Sequence, residues 1–556
     1  MAETDTVRIL VDAARTSPLR RIWRFEGYDE LNYTYTPRGR ELLAKLGGLS
    51  DAPYFIRAHF LLCSGSGVGG PKWGSSNVYT EDAEGNSVYS WDIIDRVFDT
   101  YLETGCVPFV ELGFMPEALS TAPASVTCGD PREGGWKYPP RDYGKWRELI
   151  RRLAEHCLAR YGLRSVSRWY WELWNEPDIP FYWQGGVQEY SRLYDYTVAG
   201  LTEVLPQARV GGPGTTNPGR EKAGAFLRAF LEHCVKGTNA VTGAIGTRLD
   251  FVSFHSKGGG FKKDPKEGKH TPSLDQLVDN VAVGLDITAR FPGLAGREIV
   301  VTECDPDGGA ASGKYDNPNL VFRNTEYYAS YVAAAVCRLL DLERGGGSFR
   351  VDGMLTWAFE FEDREYFEGF RTLSTNGIDK PVLNVFRFLS NLGTRRLAVD
   401  LVSVPLSGGE HRGGHPAADD LPRLGALAAG GEDGSVQLFL VSHHDDWDLR
   451  TGVRAEITLS GLPEKRSYRL RRFQIDHRAS NAHTLWREMG EPREISDAQI
   501  RELALAGRPS LAEQGTVSAG PEGTATLELN LPSHCVCLVV LSPRAGPYGR
   551  GGVAWM

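Results

Sequence analysis

The sequence predicts an α/β fold, a (β/α)8 TIM barrel with a C-terminal β-sandwich domain. Three observations carry this. Short β-branched or aromatic runs alternate with amphipathic helical stretches, eight such runs are legible, and near residue 393 the helical pattern gives way to closely spaced strands. At 556 residues the chain is also long for one core, so two domains are expected, a catalytic barrel over 1–395 and an accessory sandwich over 396–556.

Seven runs read directly as barrel strands: YFIRAHF (54–60), VPFVELGF (107–114), WYWELWN (169–175), ARVGGP (208–213), LDFVSFHS (249–256), EIVVTE (298–303) and GMLTWAFEF (353–361). RIWRFEGY (21–28) supplies the eighth. Between them, DIIDRVFDTYLETG, YGKWRELIRRLAEHCLARYG, EYSRLYDYTVAGLTEVLP and TEYYASYVAAAVCRLLDLE space their apolar residues as helices do. Beyond NVFRFLSNLG, the segments SVQLFLVSHHDDWDL, GVRAEITLSGL, SYRLRRFQID and GTATLELNLPSHCVCLVVL read as strands, and only DAQIRELALAG keeps a helical pattern. VSVPLSGGEHRGGHPAADDLP (402–422) reads as a loop in or before the sandwich.

Composition narrows the function. With 41% hydrophobic and 24% charged residues the chain is an ordinary globular one, and a net charge of −9 leaves no basic surplus for nucleic acid or an anionic membrane surface. No apolar run is long enough to span a bilayer. The start lacks the apolar core of a secretory signal, so a cytoplasmic location is expected. Nine scattered cysteines form no metal-spaced cluster, and Cys535 and Cys537 read as the two faces of a strand. No metal and no organic cofactor are expected. The sequence says nothing of oligomeric state.

Two motifs imitate other chemistries. GSGVGG (65–70) matches a dinucleotide fingerprint, but Pro71 and KWGSS follow where a helix would have to begin, so a flexible loop at the barrel mouth is expected. HHDD (443–446) resembles a ligand set but falls at a strand end, where a solvated hairpin turn is expected.

The chemistry is concentrated in WYWELWNEPDIP (169–180). Strand alternation would turn Glu172, Trp174 and Glu176 all inward, with Glu172 deep in the strand and Glu176 at its C-terminal end, just before Pro177. Barrel enzymes draw their catalytic residues from those ends, so Glu176 is the candidate and Glu172 a buried, hydrogen-bonded support. A second glutamate, Glu303, ends REIVVTECDPDGG in the same way. Two carboxylates at one barrel mouth suit glycosidic cleavage, one protonated for the leaving oxygen and one ionised for the anomeric carbon. Each taken alone is also compatible with an ordinary strand-end carboxylate.

At these residues the chain resembles glycoside hydrolase family 39. The resemblance runs through SWDIIDRVFDTYLETGCVPFVELGFMPEALS, WYWELWNEPDIPFYWQG, FVSFHSKG, TWAFEFED, GIDKPVLNVFRF and IDHRASNAHTLWREMGEP. It implies Glu176 as acid/base, Glu303 as nucleophile and Asn175 as the residue holding the sugar's 2-hydroxyl. It further implies barrel-mouth histidines at His59 and His255, an aromatic floor at Trp357, and Glu362 as the choice among Glu360, Glu362 and Asp363 for sugar hydroxyls. Trp183 and Phe114 are expected to line the pocket or to pack behind it. The implied enzyme is a retaining exo-glycosidase acting on an oligosaccharide or glycoside, with β-D-xylosidase the leading activity and α-L-iduronidase the alternative. A catalytically silent carbohydrate-binding barrel ranks lower because both carboxylates are present. Lys257 and Arg371 bear on the choice between sugars: H-x-K-G and FRTLST resemble the iduronidase pattern, in which two cations meet a uronic-acid carboxylate. The expectation adopted is that they pair with Glu360, Glu362, Asp363 or Asp305 and shape the site.

Overall fold

The computed structural model describes residues 6–49, 52–126, 131–259, 271–309, 312–362, 364–403 and 421–544. After an initial strand, β1 (Thr6–Pro18), eight parallel strands close into a barrel: β2 (Phe25–Tyr28), β3 (Phe55–Ala58), β4 (Val107–Leu112), β5 (Tyr170–Leu173), β6 (Arg209–Thr215), β7 (Phe251–Lys257), β8 (Glu298–Asp305) and β9 (Gly353–Trp357). They pair in chain order, and β9 returns to β2. Each falls within or overlaps one of the eight runs legible in the sequence.

Among the described residues, eight helices of ten or more residues cover the barrel: α1 (Pro37–Gly47), α2 (Asp92–Glu103), α3 (Tyr143–Tyr161), α4 (Val187–Val204), α5 (Glu221–Lys236), α6 (Leu274–Thr288), α7 (Glu326–Leu340) and α8 (Pro381–Ser390). Their ends are set by local chemistry. The Thr36 hydroxyl accepts the Gly39 N–H while Pro37 opens α1, and the Asp142 carboxylate accepts the Lys145 N–H at the start of α3.

Inside the barrel, Phe25, Phe109, Tyr170, Phe251, Val300 and Leu355 form a closed apolar floor. Phe109 and Tyr170 stack there with centroids 4.9 Å apart. Each aromatic removes about 150–250 Å² from water, on the order of 4–6 kcal/mol before entropy is counted.

The second domain contains β10 (Arg395–Ser403), β11 (Arg423–Gly430), β12 (Val436–His443), β13 (Val453–Ser460), β14 (Ser467–Ile475), β15 (Ser510–Ser518), β16 (Ala525–Leu531) and β17 (Cys535–Pro543), with helices α9 (Ala482–Glu488) and α10 (Asp497–Ala506). The strand order is β15-β14-β17-β12-β11-β10-β1-β13-β16. Ile457 of β13 and Leu529 of β16 share one core with Leu470 of β14 and Val539 of β17, so the sheet folds over on itself as a sandwich. The other face of β12 and β17, including Phe439, Val441, Val536 and Leu538, joins the core that extends through the barrel helices.

Three expectations change here. Residues 6–18, assigned to the barrel, form the strand between β10 and β13, antiparallel to the first and parallel to the second, because Ile9 and Val11 belong to the sandwich core. Cys535 and Cys537, two apart on β17, share one face and are both buried in that core. HHDD is not a wholly solvated turn: His443 is buried, its Nδ1 lies 2.8 Å from the Ser330 hydroxyl of α7, and the Asp445 carboxylate accepts the Leu274 N–H at 3.0 Å. Burial pushes the His443 imidazole below its ordinary pKa. Most of the loop expected over 402–422 lies outside the described residues.

Candidate active site

Strand β5 ends at Leu173, and the chain leaves it through Trp174 and Glu176, whose φ angles are +67° and +43°. That left-handed backbone carries a strain of roughly 1–2 kcal/mol per non-glycine residue, and it ends the strand alternation. Trp174 therefore does not share the inward face with the two glutamates. Its ring packs against Phe114 and Trp183, with Nε1 donating to the Tyr182 carbonyl at 2.9 Å. Glu176 is fixed at the mouth by its N–H, which donates to the Gly214 carbonyl at 2.8 Å.

Glu303 reaches the same mouth through an irregularity. The register of β8 against β7 shifts between Val301 and Glu303, so two consecutive side chains, Thr302 and Glu303, face the interior. The Thr302 hydroxyl donates downward to Glu172 Oε1 at 3.1 Å, and Glu303 stands beside His255 and Lys257. His255 Nδ1 lies 3.0 Å from Glu176 Oε1 and 3.8 Å from Glu303 Oε2, bridging the two carboxylates. One oxygen of each carboxylate lies within 4.8 Å of the other.

Electrostatics separate their neighbourhoods. Burial alone would raise the Glu303 pKa, but His255, Lys257 and His59 hold it well below the usual carboxylate range. Lys257 Nζ is 2.7 Å from Glu303 Oε2, His59 Nε2 is 3.5 Å from Oε1, and Arg57 Nη1 is 3.7 Å from Oε1. Glu176 keeps 16% of its side chain exposed, against 8% for Glu303, and of these partners it meets His255 alone.

Below the pair lies a buried ionic layer. Arg57 donates from Nε to Glu172 at 2.6 Å and from Nη2 to Asn175 Oδ1 at 3.0 Å, and meets Glu111 at 2.8 Å. Glu172 is fully buried and braces this guanidinium, the supporting part expected of it. Burial works against charge on Arg57, but Glu111, Glu172 and Glu303 outweigh it and raise its pKa. His59 Nδ1 lies 2.6 Å from Glu111 Oε2; burial lowers this imidazole, Glu111 more than restores it, and its pKa rises to about 9. Asn175 spends its oxygen on Arg57, leaving the amide nitrogen without a partner among the described residues.

A cavity of about 310 Å³ opens over this layer, lined by Glu176, Glu303, Lys257, Trp357 and Arg371. Asp29, Lys72 and Tyr182 stand in the same wall. Lys257 pairs with Glu303 and with Asp305, and Arg371 Nη1 approaches Asp305 Oδ2 at 3.3 Å. Asp305 also accepts the Trp357 N–H at 2.9 Å, and Trp357 Nε1 donates to Asp29 at 3.1 Å. The expected pairing of the two cations thus involves Asp305, but Lys257 additionally holds Glu303. Glu176, His255 and Glu303 each offer one ligand atom within 4.8 Å of the others, yet the Lys257 ammonium beside Glu303 occupies the place of the charge a dication would bring.

One expected contact lies elsewhere, and two residues take the packing alternative. The Glu362 carboxylate accepts the Arg38 N–H at 2.7 Å at the start of α1 instead of lining the cavity, because the chain after β9 runs out over that helix. Glu360 is tied to Ser374 and to the Gly377 N–H, and Asp363 lies outside the described residues. Trp183 donates to the Gly186 carbonyl at 3.2 Å and packs on Trp174, and Phe114 is fully buried 5.7 Å from the His59 ring; both support the wall from behind. Arg57 and Glu111 were not singled out in the sequence, although a charge inside a doubly buried parallel strand is itself a signal. Lys72 comes from the segment that follows GSGVGG, its ammonium 5.0 Å from the Phe181 ring centroid at the cavity rim. Nothing local announced it.

Comparison with known proteins agrees with this geometry. The model of the family Glycosyl hydrolases family 39 matches residues 8–523. A beta-xylosidase of Caldicellulosiruptor saccharolyticus is 26% identical over 467 residues, spanning 82% of this chain and 83% of the relative. An alpha-L-iduronidase of Canis lupus familiaris is 26% identical over 582 residues, spanning 97% of this chain and 79% of the relative. The solved structure of a bacterial orthologue of human α-L-iduronidase matches with a TM-score of 0.76 at 24% identity, over 98% of this chain and 85% of that one, a likeness of fold.

Proposed function

The chain belongs to glycosyl hydrolase family 39 and is a glycoside hydrolase, and from that premise we propose that it is a retaining, exo-acting enzyme whose preferred glycone is a uronic acid of α-L-iduronide configuration. Glu303, held ionised by His255, Lys257 and His59, attacks the anomeric carbon. Glu176 protonates the departing oxygen and then, as a base, delivers water to the glycosyl enzyme. Oxygens within 4.8 Å of each other support retention, since inverting pairs stand about 6.5–9.5 Å apart to admit water. The unpartnered Asn175 amide is available to the sugar's 2-hydroxyl.

One observation carries the choice of sugar: Lys257 and Arg371, both at the cavity wall, converge on the single carboxylate of Asp305. Lys257 has Glu303 as its other partner, and that charge disappears once Glu303 is covalently bound. One anionic group on the glycone would balance the surplus, and charge-assisted bonds to it would be strong ones. β-D-xylopyranose and α-L-iduronic acid share the configuration of ring carbons one to four, so a β-D-xyloside, the sugar expected from sequence, is the second reading and has the xylosidase relative behind it. The test is kcat/KM for aryl α-L-iduronide and aryl β-D-xyloside in the wild type and in Arg371→Met, which leaves the nucleophile's own contacts in place. The iduronide should be preferred, and its kcat/KM should fall by about 10- to 100-fold in the variant while the xyloside changes little. Preference for the xyloside, with an equal loss on both substrates, would overturn the reading.

A further inference from the structure

Glu111 touches neither catalytic carboxylate, yet it is among the most enclosed charges in the molecule, 1% exposed on β4. Its Oε2 lies 2.6 Å from His59 Nδ1 and 2.8 Å from Arg57 Nη2. With Nδ1 committed, His59 turns its other edge to the cavity: Nε2 is 3.5 Å from Glu303 Oε1 and 3.6 Å from Asp29 Oδ1, and makes no hydrogen bond in this state. The remaining neighbours are rings, with Trp357 at 4.5 Å, Phe114 at 5.7 Å and Tyr182 at 5.9 Å. The groups that set the charge of His59 are therefore Glu111 on β4, Asp29 after β2, Glu303 on β8 and, on the strand that His59 follows, Arg57.

We propose that Glu111 is a positioning residue for the second half-reaction: by holding His59 as a charged donor beside Glu303, it makes that carboxylate a good leaving group. The inference rests on the double displacement proposed above. In the first step a Glu303 oxygen bonds to the anomeric carbon while the bond to the aglycone oxygen breaks, and that oxygen takes the proton of Glu176. In the second, a water oxygen bonds to the same carbon, its proton passes to Glu176, and the electron pair of the breaking ester bond returns to Glu303. Negative charge thus leaves Glu303 in the first step and reappears in the second. A cation fixed near it opposes the first and assists the second. Lys257 acts in the same direction but stays in place when Glu111 is changed.

The two steps are separable in kinetics. On a 2,4-dinitrophenyl glycoside, whose leaving group needs no proton, kcat/KM reports the first step and kcat the second when deglycosylation limits turnover. Glu111→Gln keeps the volume and an acceptor oxygen but removes the charge. It should lower kcat about 10- to 100-fold, lower KM with it, leave kcat/KM within about threefold, and give a burst of one dinitrophenolate per enzyme. In the wild type, His59 is raised to about 9 with Glu303 ionised, and ester formation removes one of the charges that raise it, so kcat should fall with rising pH along a limb that lies at or below that value, and in the variant the limb should move lower still. A kcat/KM that falls in step with kcat, without a burst, would overturn the proposal as a plain loss of structure. If the variant does not fold, the wild type decides: kcat flat through pH 9 refutes the proposal. Mass spectrometry of the trapped wild-type enzyme separates the two readings. A covalent glycosyl adduct beside a negative Glu111→Gln result removes this inference alone, whereas no adduct and an inverted product remove the double displacement and this inference with it.

Discussion

Phe55 and Arg57, Phe109 and Glu111, and Tyr170 and Glu172 are three pairs of residues two apart on neighbouring barrel strands. In each, the first side chain is a ring in or against the floor and the second a buried charge. One step of strand period carries the barrel from an apolar storey to an ionic one. The floor gains from every ring removed from water. The storey above is costly to bury and is tolerable only because Arg57, Glu111, Glu172, His59 and Glu303 satisfy one another. Even so it is incompletely satisfied: Arg57 Nη1, His59 Nε2, His255 Nε2, Glu111 Oε1 and the Asn175 amide nitrogen make no hydrogen bond among the described residues. The lower storey is built for stability and the upper one for a ligand.

The sharpest break of this comparison is Glu303→Ala, which should cut kcat by about 10⁴-fold or more on any aryl glycoside while the protein still melts cooperatively. Residual turnover near the wild-type level would move the nucleophile elsewhere. In the floor the effects should reverse. Phe251→Ala should cost roughly 3–5 kcal/mol of stability, read from denaturant unfolding, with kcat nearly unchanged in native conditions. A comparable loss of kcat would mean that the storeys are coupled. The smallest effect separates them by pH. Glu303 has a depressed pKa when folded, so its contribution to stability is present above about pH 4.5 and is lost as pH falls through the folded value. Melting curves from pH 7 into acid should therefore show the gap between wild type and Glu303→Gln narrowing, whereas the gap for Phe251→Ala stays constant. Parallel gaps would contradict the charge assignment.

This division also explains what sequence could foretell. Parallel barrel strands are buried on both faces, so they appear as apolar runs with breakers after them, and all eight are legible. That Glu176 and Glu303 meet at one barrel mouth was legible because each ends such a run before a Pro or Gly signal. Glu362 was misplaced because a loop after a strand end has no periodicity to aim its side chains. Trp174 was misplaced because a positive φ at a non-glycine residue leaves no mark in the residue types. The position of β1 was hidden for another reason: its alternation marks it as a strand, but its neighbours lie some hundreds of residues away, and no local pattern encodes such a pairing.

That distant pairing has a consequence for how the protein is made. β1 leaves the ribosome before any part of the barrel, but the strands that flank it, β10 and β13, are translated only after the barrel is complete. At about 5–20 residues per second, β1 waits on the order of tens of seconds with both edges open, a template for pairing with other nascent chains. Its edges are secured only when the second domain arrives, so a strand made before the barrel finds its place after it.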